Sequence, residues 1–144
     1  MLLSLYIYMK INTIVINLDR SKERWKNFIK KNSNKLNNFN KFSAIDGKEL
    51  LIENFKDYII DFPKEFQKKR LGGNLAGMIS HQKCWENVSN NEKNDFTLIL
   101  EDDAILPDDF ENKLKKLMND LPKDWDVFNL YHNKKIKIKK KITR

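Results

Sequence analysis

Three consecutive carboxylates, Glu101, Asp102 and Asp103, are the part of this sequence best suited to chemistry. They follow the apolar run 98–100, which is typical of a buried strand in a parallel sheet. Adjacent anions repel one another unless a positive charge lies among them, and oxygen ligands suit a hard cation such as Mn²⁺ or Mg²⁺. Side chains alternate along a strand, so Glu101 and Asp103 are expected on one side as preferred ligands, with Asp102 opposite. The alternative is a solvated acidic turn before a helix that begins near Pro107.

The composition fits one domain and argues against several other classes of protein. A chain of 144 residues with 40% hydrophobic residues can bury a core, and its single cysteine, Cys84, excludes an internal disulfide. The net charge of +8 is concentrated in residues 134–144, which contain no acidic residue. That segment lacks the aromatic residues that single-strand binders place among their cations, so no specific nucleic-acid partner is expected.

The two ends of the chain are expected to lie outside the domain. Residues 1–10 form an apolar extension that is too short to cross a bilayer and lacks a basic region and cleavage site, so a cytoplasmic protein without a transmembrane segment is expected. Met9 is an alternative start. The predicted organisation is the extension 1–10, a domain over 11–131 and a basic tail over 132–144.

Strand and helix patterns alternate along the chain, which predicts an α/β fold with a mostly parallel sheet flanked by helices. Strands are predicted at 11–16, 39–45, 98–100 (as the central strand) and 125–131. Helices are predicted around Trp25, Phe28 and Ile29, and over 49–60, 74–88 and 107–121.

Local signals refine three of these helices. Asp19 is predicted to cap the first helix. Gly72-Gly73 is predicted to be a flexible break, after which Asn74 caps a helix that carries Leu75, Met78, Ile79, Trp85 and Val88 largely on one side. In the last helix, Pro107 is expected in the first turn, and Phe110, Leu114, Leu117 and Met118 are expected to face inward.

Five short motifs follow one another in an order that resembles glycosyltransferase family 25, which contains lipooligosaccharide and procollagen galactosyltransferases. The resemblance covers residues 11 to about 131, and it implies a GT-A-like, Rossmann-type fold, a UDP-galactose donor and a divalent metal, commonly Mn²⁺. The motifs are 14–20 with Glu23-Arg24, 44–47 (Ala-Ile-Asp-Gly), 73–81 with Trp85, 98–104 (Leu-Ile-Leu-Glu-Asp-Asp-Ala) and 125–127 (Trp-Asp-Val).

The resemblance also implies a set of donor-binding residues: Asn17, Leu18, Arg20, Asp46, Gly47, Ser80 and His81. It likewise implies that Glu101, Asp102 and Asp103 are the metal motif. Other interpretations stay open, because Arg20 can form a surface ion pair, Asp46-Gly47 can be a plain turn, and His81 can be a structural residue on a helix.

The function implied is metal-dependent transfer of a sugar, galactose, from a UDP-sugar to a hydroxyl of a glycan or protein. Domains of the family continue well past the 125–127 motif, so the resemblance covers the donor half. No general base is identified, because Asp108 and Asp109 are better explained by a helix dipole. The alternatives are completion of the site by a homo-oligomer, or an inactive, truncated remnant that binds nucleotide sugar or metal only.

Overall fold

Three strands and three helices form the described part of a computed structural model, which covers residues 11–50, 71–90, 96–122 and 124–130. The strands are parallel in the order β2-β1-β3, with Ile14 of β1 opposite Asn40 on one side and Ile99 on the other. The predicted α/β class with a parallel sheet is therefore confirmed. The elements are β1 (Ile11–Asn17), α1 (Lys22–Asn32), β2 (Asn40–Ser43), α2 (Leu71–Ser89), β3 (Phe96–Glu101) and α3 (Phe110–Asn119).

Helices cover both faces of this sheet. Val15 of β1 belongs to a cluster with Phe28 of α1 and Leu114 of α3. Its neighbours Ile14 and Ile16 pack instead with Cys84 of α2. Because side chains alternate along a strand, β1 supplies both cores and is buried on both faces, as its β-branched, apolar sequence predicts.

Helix α1 is confirmed, but the prediction that Asp19 caps it was wrong. The helix begins after Ser21, and no side chain caps it. Asp19 accepts hydrogen bonds from Lys41 at 2.6 Å and from the hydroxyl of Ser43 at 3.0 Å, which lower its pKa. A cation on the neighbouring strand β2 therefore engages the carboxylate that was expected to cap the helix.

Helix α2 begins earlier than the sequence predicts. Gly72, Gly73 and Asn74 lie inside it, so the predicted break and the predicted cap were both wrong. A Cβ atom on Gly72 would lie 2.7 Å from the carbonyl oxygen of Gly47. Gly72 therefore allows the backbones of two segments to approach closely. Although glycine has a low helix propensity, Gly72 is part of the 19-residue helix.

The inward face of α2 is narrower than predicted. Leu75 and Ile79 are buried, and Val88 packs against the core. Met78 and Trp85, however, expose 62% and 57% of their surface, so the prediction that they share one side of the helix with Leu75 and Ile79 was wrong.

The region after β3 departs from prediction in three ways. Within the described sheet β3 lies at an edge, and β1 is the central strand. Helix α3 begins at Phe110, after Asp109, whose φ of 57° interrupts the helical backbone, so Pro107 is not in its first turn. Residues 125–130 form no strand, because none of the described strands pairs with them, and Val127 is 82% exposed.

Several predictions fall wholly or mostly outside the described residues. These are the apolar extension, most of the helix over 49–60, Tyr131 and the basic tail. In α3, Phe110, Leu114 and Met118 are buried as predicted, and Leu117 is partly buried. Within the described ranges, no helix is both long and apolar enough to cross a membrane.

Candidate active-site cleft

A cleft of about 580 Å³ lies where the parallel strands end at their carboxyl edge. Four separate segments line it, within residues 16–24, 44–48, 72–81 and 101–102. Clefts of roughly 300–1,000 Å³ at this edge of an α/β sheet are common sites for small molecules and cofactors. The position follows from the parallel sheet, which brings loops that are distant in sequence to one edge.

The structure brings the residues predicted to bind the donor into this one cleft. All seven line it: Asn17, Leu18, Arg20, Asp46, Gly47, Ser80 and His81. Of the acidic triplet, Glu101 and Asp102 also line the cleft, whereas Asp103 is not among the lining residues. Arg24 and Lys48, for which the sequence predicts no role, line it as well. Arg24 follows Glu23 in the first family motif, and this position was the sequence feature that could have identified it as a site residue.

Arg20 and Asp46, which both line the cleft, form an ion pair with each other. Arg20 donates from Nε and, at 3.3 Å, from Nη2 to the two oxygens of the carboxylate. This pairing lowers the pKa of Asp46 and raises the pKa of Arg20. The surface ion pair considered for Arg20 is thus present, in a residue that also borders the cleft.

The Asp46-Gly47 turn is also present. The side-chain carboxylate of Asp46 accepts a hydrogen bond from the backbone N–H of Lys48 at 2.9 Å. The backbone carbonyl of Asp46 accepts one from the backbone N–H of Glu49 at 3.0 Å. A Cβ atom on Gly47 would collide with the backbone of Gly72. The two glycines therefore let the loop after β2 touch the first turn of α2.

A hydrogen-bonded network joins Asp102 of the acidic triplet to Asn17 and Arg24. Asn17, which is 1% exposed, donates from Nδ2 to Oδ2 of Asp102 at 2.6 Å. Arg24 donates to the other oxygen of Asp102 and lies 3.3 Å from Asp103. Among the described residues, Oδ1 of Asn17 is buried and has no hydrogen-bond partner. The carboxylate fixes this orientation of the amide, because it accepts only from Nδ2.

Ser80 and His81 have different surroundings despite being neighbours. The hydroxyl of Ser80 donates to the carbonyl of Ala76 at 2.6 Å and accepts from the backbone N–H of Ile45 at 2.9 Å. Ser80 therefore ties α2 to the segment after β2. His81 faces the opposite wall, where its Nε2 lies 3.3 Å from Oε1 of Glu101.

The profile of glycosyltransferase family 25 (LPS biosynthesis protein) matches residues 10–144, nearly the whole chain. The chain belongs to glycosyltransferase family 25. It is also 28% identical to procollagen galactosyltransferase 2 of Mus musculus over 121 residues, and this match covers 78% of the chain. The chain spans 19% of that longer protein. No solved structure matches.

In this member of family 25 the acidic triplet ends in a turn. Strand β3 stops at Glu101, whose carbonyl accepts from the N–H of Ala104 at 3.1 Å. Strand alternation therefore does not set the directions of Asp102 and Asp103, and that part of the prediction was wrong. The local structure matches the acidic turn that was the alternative interpretation, although Asp102 is buried and not solvated.

The carboxylates of this turn differ in their fitness for a metal ion. The side chains of Glu101 and Asp103 are 62% and 69% exposed, and both offer oxygen ligands. The oxygens of Asp102 are engaged by Asn17 and Arg24. The described residues contain no group of three His, Cys, Asp or Glu side chains that could hold an ion. Of the two exposed carboxylates only Glu101 lines the cleft, whereas Asp103 is not among the lining residues and lies 3.3 Å from Arg24.

Proposed function

We propose that the cleft binds a UDP-sugar, UDP-galactose, and that the protein transfers galactose to a hydroxyl of a glycan or protein acceptor. The observation that carries this proposal is the convergence of four distant segments on one cleft, which holds both cations and carboxylates. Membership of a glycosyltransferase family supports the reaction class, and the galactosyltransferase named above supports the choice of sugar.

The cleft offers distinct surroundings to the parts of such a donor. Arg20 and Lys48 supply positive charge for a diphosphate. Gly72 and Gly73 of α2 also line the cleft. Nothing lies within 4 Å of a Cβ atom placed on Gly73, so a phosphate can approach the backbone closely at that residue. The buried residues Ile16 and Ala76 give a more apolar surface, which suits a base.

A divalent ion, Mn²⁺ or Mg²⁺, would be held at the acidic triplet, where Glu101 is the carboxylate that is both exposed and part of the cleft lining. When bound, such an ion acts as a Lewis acid that offsets the negative charge on the departing UDP. In the transfer, the oxygen of the acceptor hydroxyl bonds to the anomeric carbon while the bond from that carbon to the diphosphate oxygen breaks, and the hydroxyl proton is released to water. Arg20 binds the leaving diphosphate, and Arg24 holds Asp102 and Asp103 in their turn.

Calorimetry with UDP, with and without Mn²⁺, tests donor binding. We expect binding that needs Mn²⁺ and is abolished by EDTA, and hydrolysis of UDP-galactose in preference to other UDP-sugars. Full UDP affinity in EDTA would contradict the proposed metal dependence. The absence of UDP binding under all conditions would contradict the proposed transferase function. Binding of UDP without any turnover of a donor or acceptor would instead favour the alternative, a non-catalytic nucleotide-sugar binder.

A further inference from the structure

An exposed stripe on α2 lies beside the cleft and is not explained by packing. At about 100° per residue, Met78, His81 and Trp85 fall within about 60° of one another around the helix. His81 is about 40° from Gly77, which lines the cleft. Because Met78 and Trp85 are largely exposed, the stripe is an apolar strip of surface that continues from the cleft wall across His81.

The contacts of His81 join this stripe to the chemistry of the cleft. Its ring centroid lies 6.3 Å from that of Trp85, with the two planes tilted by 56°. Its Nε2 lies 3.3 Å from Glu101, the carboxylate on the facing wall. The indole is therefore adjacent to the rim of the cleft and not to a remote face of the helix.

Trp85 differs from the other two tryptophans of the chain. Trp25 stacks on Phe28 with ring centroids 5.9 Å apart, and Trp125 stacks on Phe96 at 5.4 Å. Both are packed against the core, whereas Trp85 exposes more than half of its surface. An exposed indole gains nothing from core burial, so its location beside a cleft favours contact with a ligand.

We propose that Trp85, with Met78 and His81, forms a subsite for a pyranose ring of a saccharide acceptor. The electron-rich face of an indole attracts the polarised C–H groups on one face of a sugar. The hydroxyls at the sugar's edge need polar partners, and Gln82 and Glu86, which share a 3.0 Å hydrogen bond, border the stripe on the side away from the cleft. An apolar platform with amide and carboxylate groups along one border matches a carbohydrate better than a purely apolar partner.

This inference rests on the proposed function, because the cleft itself is assigned to the donor. Trp85 is not among the residues that line the cleft, so a ring stacked on it lies just outside the donor's volume. A second substrate that approaches the anomeric carbon must come from outside that volume. The stripe therefore specifies a saccharide as the acceptor, in preference to a peptide side chain.

The test follows the three indole N–H signals by NMR in the full chain labelled with ¹⁵N, assigned with Trp→Phe variants. The probes are methyl β-galactoside, lactose, N-acetyllactosamine and a hydroxylysine peptide, each added with UDP and Mn²⁺ present. We expect saccharides to move the Trp85 signal and to leave the signals of Trp25 and Trp125 unchanged. Trp85→Ala should weaken saccharide binding by about tenfold or more, and Trp85→Phe by less.

The matched control is Lys83→Ala, an exposed change on the opposite side of α2 that should leave saccharide binding unchanged. The Trp85 and Lys83 variants should all bind UDP with the same affinity as the wild-type protein. A loss of saccharide binding alone can then be distinguished from a failure of donor binding. The inference is overturned if UDP binds but no saccharide moves the Trp85 signal, or if only the peptide does. It is also overturned if UDP alone moves that signal as it saturates the cleft, or if the stripe instead mediates self-association that Trp85→Ala abolishes in sedimentation experiments.

Discussion

The side-chain amide of Asn17 donates to the carboxylate of Asp102 at 2.6 Å, which links the ends of the neighbouring strands β1 and β3. Arg24 of α1 completes the arrangement by donating to the same carboxylate. Asp102, the middle residue of the acidic triplet, is therefore a buried structural residue in the wall of the cleft, and its two neighbours are the exposed carboxylates. This division of roles leads to opposite expectations for adjacent residues.

Asp102→Asn should destabilise the protein, and Glu101→Gln should not. The first change replaces one of the two acceptor oxygens engaged by Asn17 and Arg24 with an NH₂ donor and removes the charge, which should lower the free energy of unfolding by about 1–3 kcal/mol. The second changes an exposed side chain and should instead weaken UDP binding in Mn²⁺. Thermal unfolding and calorimetry measure the two effects. Equal stability of Asp102→Asn and the wild-type protein would contradict the structural role of Asp102.

Arg20→Ala should weaken UDP binding by about 1–3 kcal/mol, the range for a lost charged hydrogen bond. The melting temperature of this variant should change little, because half of the Arg20 side chain is exposed to solvent, which screens the ion pair. Lys22→Ala, an exposed change nearby in α1, is the control and should leave UDP affinity intact. A large loss of stability with normal UDP affinity would show that Arg20 is structural.

The Arg20–Asp46 pair predicts a specific acid titration. Arg20 lowers the pKa of Asp46 below its ordinary value of 3.8, so the folded state favours the charged carboxylate. The stabilisation from this pair is fully present above the ordinary pKa and is lost as the pH falls through the lowered one. NMR titration of the Asp46 carboxyl carbon should give a midpoint below 3.8 in the wild-type protein and a higher one in Arg20→Ala. Identical midpoints would mean that the ion pair does not form in solution.

Glycine replacements should have opposite effects at two positions of the cleft. A methyl group on Gly47 would collide with the backbone of Gly72, so Gly47→Ala should destabilise the protein and displace the start of α2. Nothing lies within 4 Å of a Cβ atom on Gly77, which is inside α2. Gly77→Ala should therefore stabilise the helix by about 0.5–1 kcal/mol. Denaturant unfolding of both variants measures this contrast, and a stabilising Gly47→Ala would refute the close approach.

Much of the fold follows from local sequence patterns. The β-branched run of β1 and the apolar spacing of α1 depend on neighbouring residues alone, and both elements form as predicted. The acidic triplet is visible as a candidate site because three adjacent carboxylates are unusual in any local structure. The family motifs identify donor-binding candidates in segments that are far apart in sequence, and the structure gathers those candidates around one cleft.

Partners that are distant in sequence are decided only by the tertiary structure. Asp19 has the residue type of a helix cap, yet Lys41 on a neighbouring strand engages it. Gly72 has the residue type of a break, yet contact with Gly47 makes it part of a helix. Asp102 is chemically the same as Asp103, yet Asp102 is buried and accepts a hydrogen bond from Asn17, whereas Asp103 is exposed. Local sequence sets which conformations and charges are available, whereas packing between elements decides which of them find partners.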